Sequence, residues 1–373
     1  MPRVFFSTGE PSGEMLAVTL AEAMREFGAI EAYGIGSERM RAAGFRVTAE
    51  TAGWASMGPV EALGRILPLY ATMWRHAIPI LARPPELIVM VDFGAFNLRF
   101  AKTLRLLGYR GRILCYFPPG AWLDRPRQAR AVRRYATPLT AFTHQRDFYE
   151  SLGLEIAWFG HPLAALVPPR AARPAPPEGR GTVALLPGSR RGEIERHLPP
   201  LLAACALVRR TRPFAQFVCS AANADAERLV REILARPGSF RDVRVVRGSR
   251  EALDVADAAL VASGTAVLEA ALREVPLAAF YIVSPAQEKI ARRVWTKPYF
   301  TLPNLLLERL AIPELAQREA NPAAFAARAL ELLAHPGRQT ADLRAARACL
   351  GPPDALRRAA AFASVLAGRR PAS

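Results

Sequence analysis

Short apolar runs, rich in β-branched and aromatic residues, alternate along the chain with segments of helical, amphipathic spacing. The runs are Val4–Ser7, Leu87–Val91, Ile113–Phe117, Val183–Leu186, Phe217–Cys219, Val243–Val246, Ala259–Ala262 and Leu277–Tyr281. Uncharged strands separated by helices are the signature of βαβ units on parallel sheets. They fall into two sets. Between them lies PPRAARPAPPEGRG, Pro168 to Gly181, whose prolines suit an extended connector better than a helix or strand. The expected fold class is α/β, with two Rossmann-like domains: residues 1–170, with a helix near 352–368 packing back on them, and residues 171–350. Their parallel strands are expected to end at a shared cleft, the place where open α/β sheets bind ligands.

Three strand-to-helix turns carry candidate chemistry. In RVFFSTGEPSGEM only Gly9 and Gly13 stand, with Pro11 between them, so the three-glycine dinucleotide fingerprint is absent. Two carboxylates, Glu10 and Glu14, argue against a phosphate there and suit sugar hydroxyls or a positively charged transition state. In TVALLPGSRRGEIERHL, Gly188 permits close backbone approach and Ser189 can hydrogen-bond. Arg190, nearer the strand end than Arg191, supplies a fork of donors matched to phosphate oxygens. A plain βα turn with exposed arginines is the alternative. In DAALVASGTAVLEAAL, Ser263-Gly264-Thr265 opens a helix, where amides and two hydroxyls form an anion seat. Glu269, one turn deeper, suits a ribose diol. An ordinary capped helix with a solvated glutamate is the competing reading. Downstream, YFTLPNLLLERLAIPELAQ places Asn304, Glu314 and Gln317 on proline-punctuated loops where they can read the edges of a base.

Composition narrows the classes. A chain of 373 residues with 51% apolar content is not disordered, and is long for a single core. Fifty basic residues against 33 acidic leave +17, which suits nucleic acid, an anionic membrane or phosphorylated substrates, although arginine abundance also follows from a GC-rich genome. No nucleic-acid recognition module is recognisable, which sets a non-enzymatic polyanion binder last. Cys115, Cys205, Cys219 and Cys349 are widely separated, so neither a zinc site nor a disulfide framework is indicated and a reducing compartment is expected. With no basic segment and apolar signal core, and no apolar stretch of membrane-spanning length, a cytoplasmic location is expected.

The chain resembles the lipid-A-disaccharide synthase family, inverting glycosyltransferases of the GT-B fold. The resemblance rests on GEPSGE (Gly9–Glu14), GIGSERMRAAGF (Gly34–Phe45), MGPVEALGR (Met57–Arg65), VDFGAFN (Val91–Asn97), FGHPLA (Phe159–Ala164), LLPGSRRGEIE (Leu185–Glu195), ASGTAVLE (Ala262–Glu269) and LPNLLLER (Leu302–Arg309). It implies transfer of a diacylglucosamine from its UDP donor to the 6-hydroxyl of a diacylglucosamine 1-phosphate. It further implies UDP on the C-terminal domain and the acyl-sugar acceptor on the N-terminal one, with UDP-sugar as substrate and no cofactor.

Displacement at an anomeric carbon with inversion needs a base, stabilisation of oxocarbenium-like charge, and support for the departing diphosphate. Asp92 ends the strand LIVMVD and is the candidate base, in agreement with the family's aspartate; capping of the following loop is its alternative role. Glu10 is the competing base or charge stabiliser. No D-x-D sequence is present to hold a divalent ion, so Arg190, Ser189 and the Ser263–Thr265 amides are expected to hold the leaving group without metal. Acceptor contacts are expected from Ser12, Asn97, Trp122, Arg125 and His161, a packed loop histidine being the alternative for the last.

Acylated substrates imply contact with the inner face of the cytoplasmic membrane. Ala62 to Pro84 is apolar with scattered arginine and aromatic residues and suits a surface-docking helix or helical pair, or a core helix; Pro68 and Pro79 argue against one continuous helix. The basic stretch Asp124 to Arg134 suits anionic lipid or the acceptor's phosphate.

Several motifs depart from the family pattern. Glu14 stands where an aspartate is usual, Ala95 replaces an aspartate of A-P-D-F-N, and Pro118–Asp124 lacks two serines and a tryptophan. Ala165 replaces the aspartate after H-P-L-A. Donor motifs survive better than acceptor motifs, which leaves room for another UDP-sugar transferase with a different acceptor, or a UDP-sugar epimerase.

Overall fold

Alternate residues of each central strand enter opposite layers of core, as a sheet covered on both faces requires. Val4 and Phe6 pack with Leu87, Val89 and Val91 on one side, while Phe5, Ile88 and Met90 pack on the other. A computed structural model of the protein describes residues 1–50, 66–120, 124–171, 174–295 and 297–368. Within them the chain separates into two units, Met1–Ala165 with Leu350–Ser373, and Leu166–Cys349. The division falls at Ala165/Leu166 rather than after 170, and hydrogen bonds explain the difference. The Arg170 amide donates to Arg273 O, its guanidinium donates to Leu253 O and Ala256 O, and Arg347 donates to Val167 O, so residues 167–170 are tied to the second unit.

The first unit holds a sheet of strands β1 (Arg3–Ser7), β2 (Glu31–Gly36), β3 (Arg46–Glu50), β4 (Leu87–Val91), β5 (Arg112–Tyr116), β6 (Thr137–Thr140) and β7 (Ala157–Trp158). Their order is β3-β2-β1-β4-β5-β6-β7, and every pairing is parallel. The C-terminal helix Ala355–Leu366 packs against helix Pro11–Arg25, its Ala359, Ala360 and Ala363 sharing a core layer with Leu16, Leu20 and Met24.

The second unit is built from β8 (Arg180–Leu186), β9 (Phe214–Ala221), β10 (Arg244–Arg247), β11 (Ala258–Ala262), β12 (Leu277–Tyr281) and β13 (Glu314–Ala316), in the order β10-β9-β8-β11-β12-β13. These pairings are also parallel. Val183, Leu185 and Leu260 enter one core layer, Ala184, Leu186 and Val261 the other.

One expectation about the helices is corrected. Ile66–Ala82 is a single helix that runs through both Pro68 and Pro79. Pro68 stands in its first turn, where amides have no intrahelical acceptor, so only Pro79, in the last turn, costs the helix one amide donor. Met73, Ala77 and Ile80 enter the core beside β1 and β4, whereas Tyr70, Trp74 and Ile78 are 43%, 45% and 64% exposed. The helix is thus both a core helix and an exposed apolar stripe. The GR of the Met57–Arg65 motif and everything before it in that motif lie outside the described residues.

Candidate functional site

Each sheet has one place where neighbouring strands are out of sequence and their connections depart in opposite directions. In the first sheet it lies between β1 and β4; in the second, between β8 and β11. Loops part at the carboxyl ends of such strands and leave a crevice for ligand. The loops there are Thr8–Glu10 and Asp92–Phe93 in the first unit, and Pro187–Arg190 and Ser263–Gly264 in the second. Of the residues singled out by their chemistry, Glu10, Asp92, Gly188, Ser189, Arg190, Ser263 and Gly264 fall on these four loops.

Asp92 follows β4 directly, and its amide still donates to Tyr116 O (3.0 Å). It and Phe93 both have positive φ, 49° and 45°. Two consecutive non-glycine residues in that region cost on the order of 1–3 kcal/mol each, and such strain persists where surrounding structure enforces it. The enforcing group is Asn97. Its Nδ2 donates to Asp92 O (2.8 Å), Val91 O (3.3 Å) and Ser7 O (3.3 Å), and its Oδ1 accepts from Ser7 Oγ (2.6 Å). Phe93 lays its ring on Gly9, where a Cβ would come within 2.3 Å of ring carbon, so only glycine fits. Burial first, and the Glu10 carboxylate second, raise the Asp92 carboxyl to about 6, against a hydrogen bond from the Phe93 backbone that lowers it. The residue itself keeps part of its surface open. A carboxylate poised near neutrality and partly accessible is suited to proton abstraction.

The other first-unit candidates take different places. Glu14 is buried and accepts a hydrogen bond from Ser37 Oγ, the cap of helix Glu38–Ala42, so it joins the GEPSGE and GIGSERM motifs rather than facing ligand. Asn97 is 2% exposed with both ends of its amide engaged, which makes it a brace and not an acceptor contact. His161 is likewise corrected. Its ring is enclosed by Phe117 and Phe142, its Nδ1 accepts from Leu163 N (3.2 Å), and burial drives its pKa down to about 3, so it stays neutral. Ser12 lies in the first turn of helix Pro11–Arg25, with Glu10 at its cap. Arg125 is exposed at the start of the basic helix Pro126–Tyr135. Trp122 lies outside the described residues.

In the second unit, Gly188 has φ +109° and precedes helix Arg191–Thr211, with Arg190 at its cap. Glu193 folds back on this turn. Its Oε2 accepts from the Ser189 and Arg190 amides (3.2 and 3.3 Å), and its Oε1 accepts from Arg190 Nη1 (3.1 Å). Arg191 points elsewhere, pairing with Glu195. A cavity of about 370 Å³ opens beside Ser189 and is lined by Arg191, Asn223, Asp225 and Arg228; it lies on the β9 side of β8, away from the crevice.

Ser263 donates from its amide to Phe280 O (2.8 Å) and from Oγ to Phe300 O (3.4 Å), and Gly264 and Thr265 are exposed at the start of helix Thr265–Leu272. Glu269 accepts from Ser249 Oγ (2.5 Å), and its pKa is raised by burial, less so for that hydrogen bond and Arg250. Asn304 and Glu314 are corrected: they lie in helix Leu302–Leu307 and strand β13, not on loops. Asn304 Oδ1 accepts from Ala311 N and Ile312 N, while Nδ2 donates to Ile312 O and Glu314 Oε1 (2.7 Å). Glu314 also accepts from the Phe300 and Thr301 amides (2.9 Å each) and Thr301 Oγ1 (2.6 Å). Both side chains are spent on bracing Phe300 behind Ser263, and the amide of Asn304 is fully engaged. Gln317 accepts from Val283 N (2.8 Å) and donates to Glu288 (2.6 Å).

Among the described residues, no three His, Cys, Asp or Glu side chains converge in a way that could hold a metal ion. No helix among them is long and apolar enough to cross a membrane.

Two Rossmann-like α/β units with wholly parallel sheets constitute the GT-B fold, the architecture of sugar-nucleotide transferases and epimerases. Among solved structures, a Staphylococcus aureus MnaA–UDP co-structure has a TM-score of 0.62 at 11% identity, covering 96% of this chain and 94% of that one. An Acinetobacter baumannii MurG has 0.56 at 14% identity, covering 96% and 98%. Likeness at such identity speaks for the fold alone. Sequence decides the family: the lipid-A-disaccharide synthetase model matches residues 4–349, and the lipid-A-disaccharide synthase of Azotobacter vinelandii is 36% identical over 379 aligned residues, 98% of each chain. The chain belongs to the lipid-A-disaccharide synthetase family, and is a glycosyltransferase.

Proposed function

We propose that the protein transfers 2,3-diacylglucosamine from UDP to the 6-hydroxyl of 2,3-diacylglucosamine 1-phosphate, giving a β-1,6-linked disaccharide and UDP. The observation that carries the mechanism is Asp92, held by Asn97 at the first sheet's crevice with its carboxyl raised to about 6. Asp92 takes the hydroxyl proton as the acceptor oxygen attacks the anomeric carbon, and the bond from that carbon to the diphosphate breaks with inversion. Glu10 stabilises positive charge on the sugar. Arg190, Ser189 and the Ser263–Thr265 turn support the diphosphate as it leaves, and Glu269 accepts from the ribose. The missing D-x-D sequence supports departure without a divalent ion, so the rate should persist in excess EDTA.

Acylated substrates fit a peripheral contact with the inner face of the cytoplasmic membrane. Tyr70, Trp74 and Ile78 recur every four residues and form one apolar stripe with Arg75 exposed beside it, as in helices that lie in a lipid interface.

The test is incubation of purified protein with both acylated substrates. Disaccharide and UDP should form in equal amounts, and Asp92→Asn should lower kcat/KM by about 10²- to 10⁴-fold. No product, with an active relative producing it in parallel, overturns the proposal.

A further inference from the structure

The turn assigned above to the donor's diphosphate already holds an anion, and the anion belongs to the protein. Glu193 directs its carboxylate at the Ser189 amide, the Arg190 amide and the Arg190 guanidinium, and its side chain is only 12% exposed. The Tyr281 hydroxyl hydrogen-bonds the same carboxylate from the end of β12. Glu193 sits directly on Gly188, whose φ of +109° favours glycine: a Cβ there would stand 2.5 Å from Glu193 Oε2 and 3.0 Å from Glu193 Cβ. Four donors converging on one partly enclosed carboxylate make an anion seat by construction.

Phosphate oxygens need these same donors. Two anions cannot share them, because each N–H is satisfied once and like charges at contact distance repel strongly when water is excluded. A permanent helix cap would leave Arg190 tied to Glu193 and the seat closed to the donor.

We propose, resting on the donor-site reading above, that Glu193 is a built-in competitor for the diphosphate. It orders the Gly188–Arg190 turn while the site is empty, withdraws when the diphosphate enters, and returns as UDP departs. Arg196, three residues further along the same helix, offers a cation toward which the carboxylate can turn. The role is distinct from that of Arg190: Arg190 binds the ligand, and Glu193 sets how tightly the ligand is held.

The experiment is calorimetric titration of UDP, inorganic diphosphate and uridine into the full chain and into Glu193→Gln, Glu193→Asp and Arg190→Ala variants, after thermal melts establish folding. Glu193→Gln should bind UDP and inorganic diphosphate about three- to tenfold more tightly, and uridine unchanged, since the neutral amide is a poorer rival for the same donors. Slower UDP dissociation in stopped flow should accompany it. Unchanged or weaker UDP binding by a folded Glu193→Gln variant overturns the proposal and makes Glu193 a fixed cap. Should that variant not fold, Glu193→Asp keeps a charge in the helix's first turn but draws it back by one methylene; tighter binding supports the proposal and its absence overturns it. If the unaltered chain does not bind UDP, the donor-site reading falls and takes this inference with it. If that chain binds UDP, Arg190→Ala weakens it and Glu193→Gln does not tighten it, only the role of Glu193 falls.

Discussion

Asp92 and Glu10 face one another from the ends of adjacent strands, and their pairing predicts a pH profile. In the proposed mechanism Asp92 accepts a proton and must be ionised, so kcat/KM should fall about tenfold per pH unit below an apparent pKa near 6. Burial is the larger cause of that elevation and Glu10 the second, so Glu10→Gln should move the acidic limb downward but not to the value of a free aspartate. An acidic limb that does not move removes Glu10 from the pair. The same raised pKa makes ionised Asp92 a liability for folding: its contribution is fully present below the unfolded value of 3.8 and lost as pH rises through about 6. That loss is on the order of 2–3 kcal/mol. Asp92→Asn, whose side chain tolerates positive φ, should therefore be inactive yet at least as resistant to urea at pH 8 as the parent. Asn97, bonded to Asp92 O and buried, is a positioning residue in the proposed mechanism. Asn97→Ala should depress kcat far more than it raises KM and shift the acidic limb, a combination that mere loosening of the core would not give.

The helix Ile66–Ala82 shows how one element can serve two neighbours. Its inner residues Met73, Ala77 and Ile80 are fixed by the sheet, so replacing its outer ones should leave stability nearly unchanged. Trp74→Ser with Ile78→Ser is expected to lower co-sedimentation with anionic phospholipid vesicles several-fold while the melting temperature shifts little; full retention on vesicles would place lipid contact elsewhere. Its continuity was hidden by Pro68 and Pro79: Pro68 falls in the first turn, where no amide is needed, and the single donor lost at Pro79 is outweighed by the packing of Met73, Ala77 and Ile80 on the sheet. Central strands were legible because burial on both faces demands unbroken apolar runs, as in LIVMV and AALVA. The strands that escaped notice lack such runs: β2 carries Gly34 and Gly36, β3 reads RVTAE with a charge at each end, β6 carries Pro138, and β7 and β13 span two and three residues. Chemistry at strand ends was readable for the same reason, since a polar residue closing an apolar run must emerge near the sheet's carboxyl edge. What could not be read was how polar groups spend their hydrogen bonds. Asn304, Glu314 and His161 look like ligand contacts in one dimension and are consumed by partners near and far in three. Glu193 was the converse case, passed over although a glutamate three residues into a helix is the mark of a backfolded cap.

At the scale of the molecule, the buried histidines fix the response to acid. Burial lowers the pKa of His76, His161 and His197, the second to about 3, so the unfolded chain takes up protons first as pH falls below 6.5. Stability is present above that value and lost progressively beneath it. Urea midpoints should decline between pH 7.5 and 5, Asp92 opposing the trend within its own window; an unchanged midpoint would show that these rings find room to charge. The fold's other global property concerns the order in which it can be finished. Helix Ala355–Leu366 completes the layer over Leu16, Leu20 and Met24, yet it is separated from them by the whole of the second unit. On the ribosome, the first part of the protein to be made is thus the last to be sealed: its alanine-lined wall arrives only after Leu166–Cys349 has emerged, and a transcript truncated near its end would yield a finished rear lobe attached to an open front one.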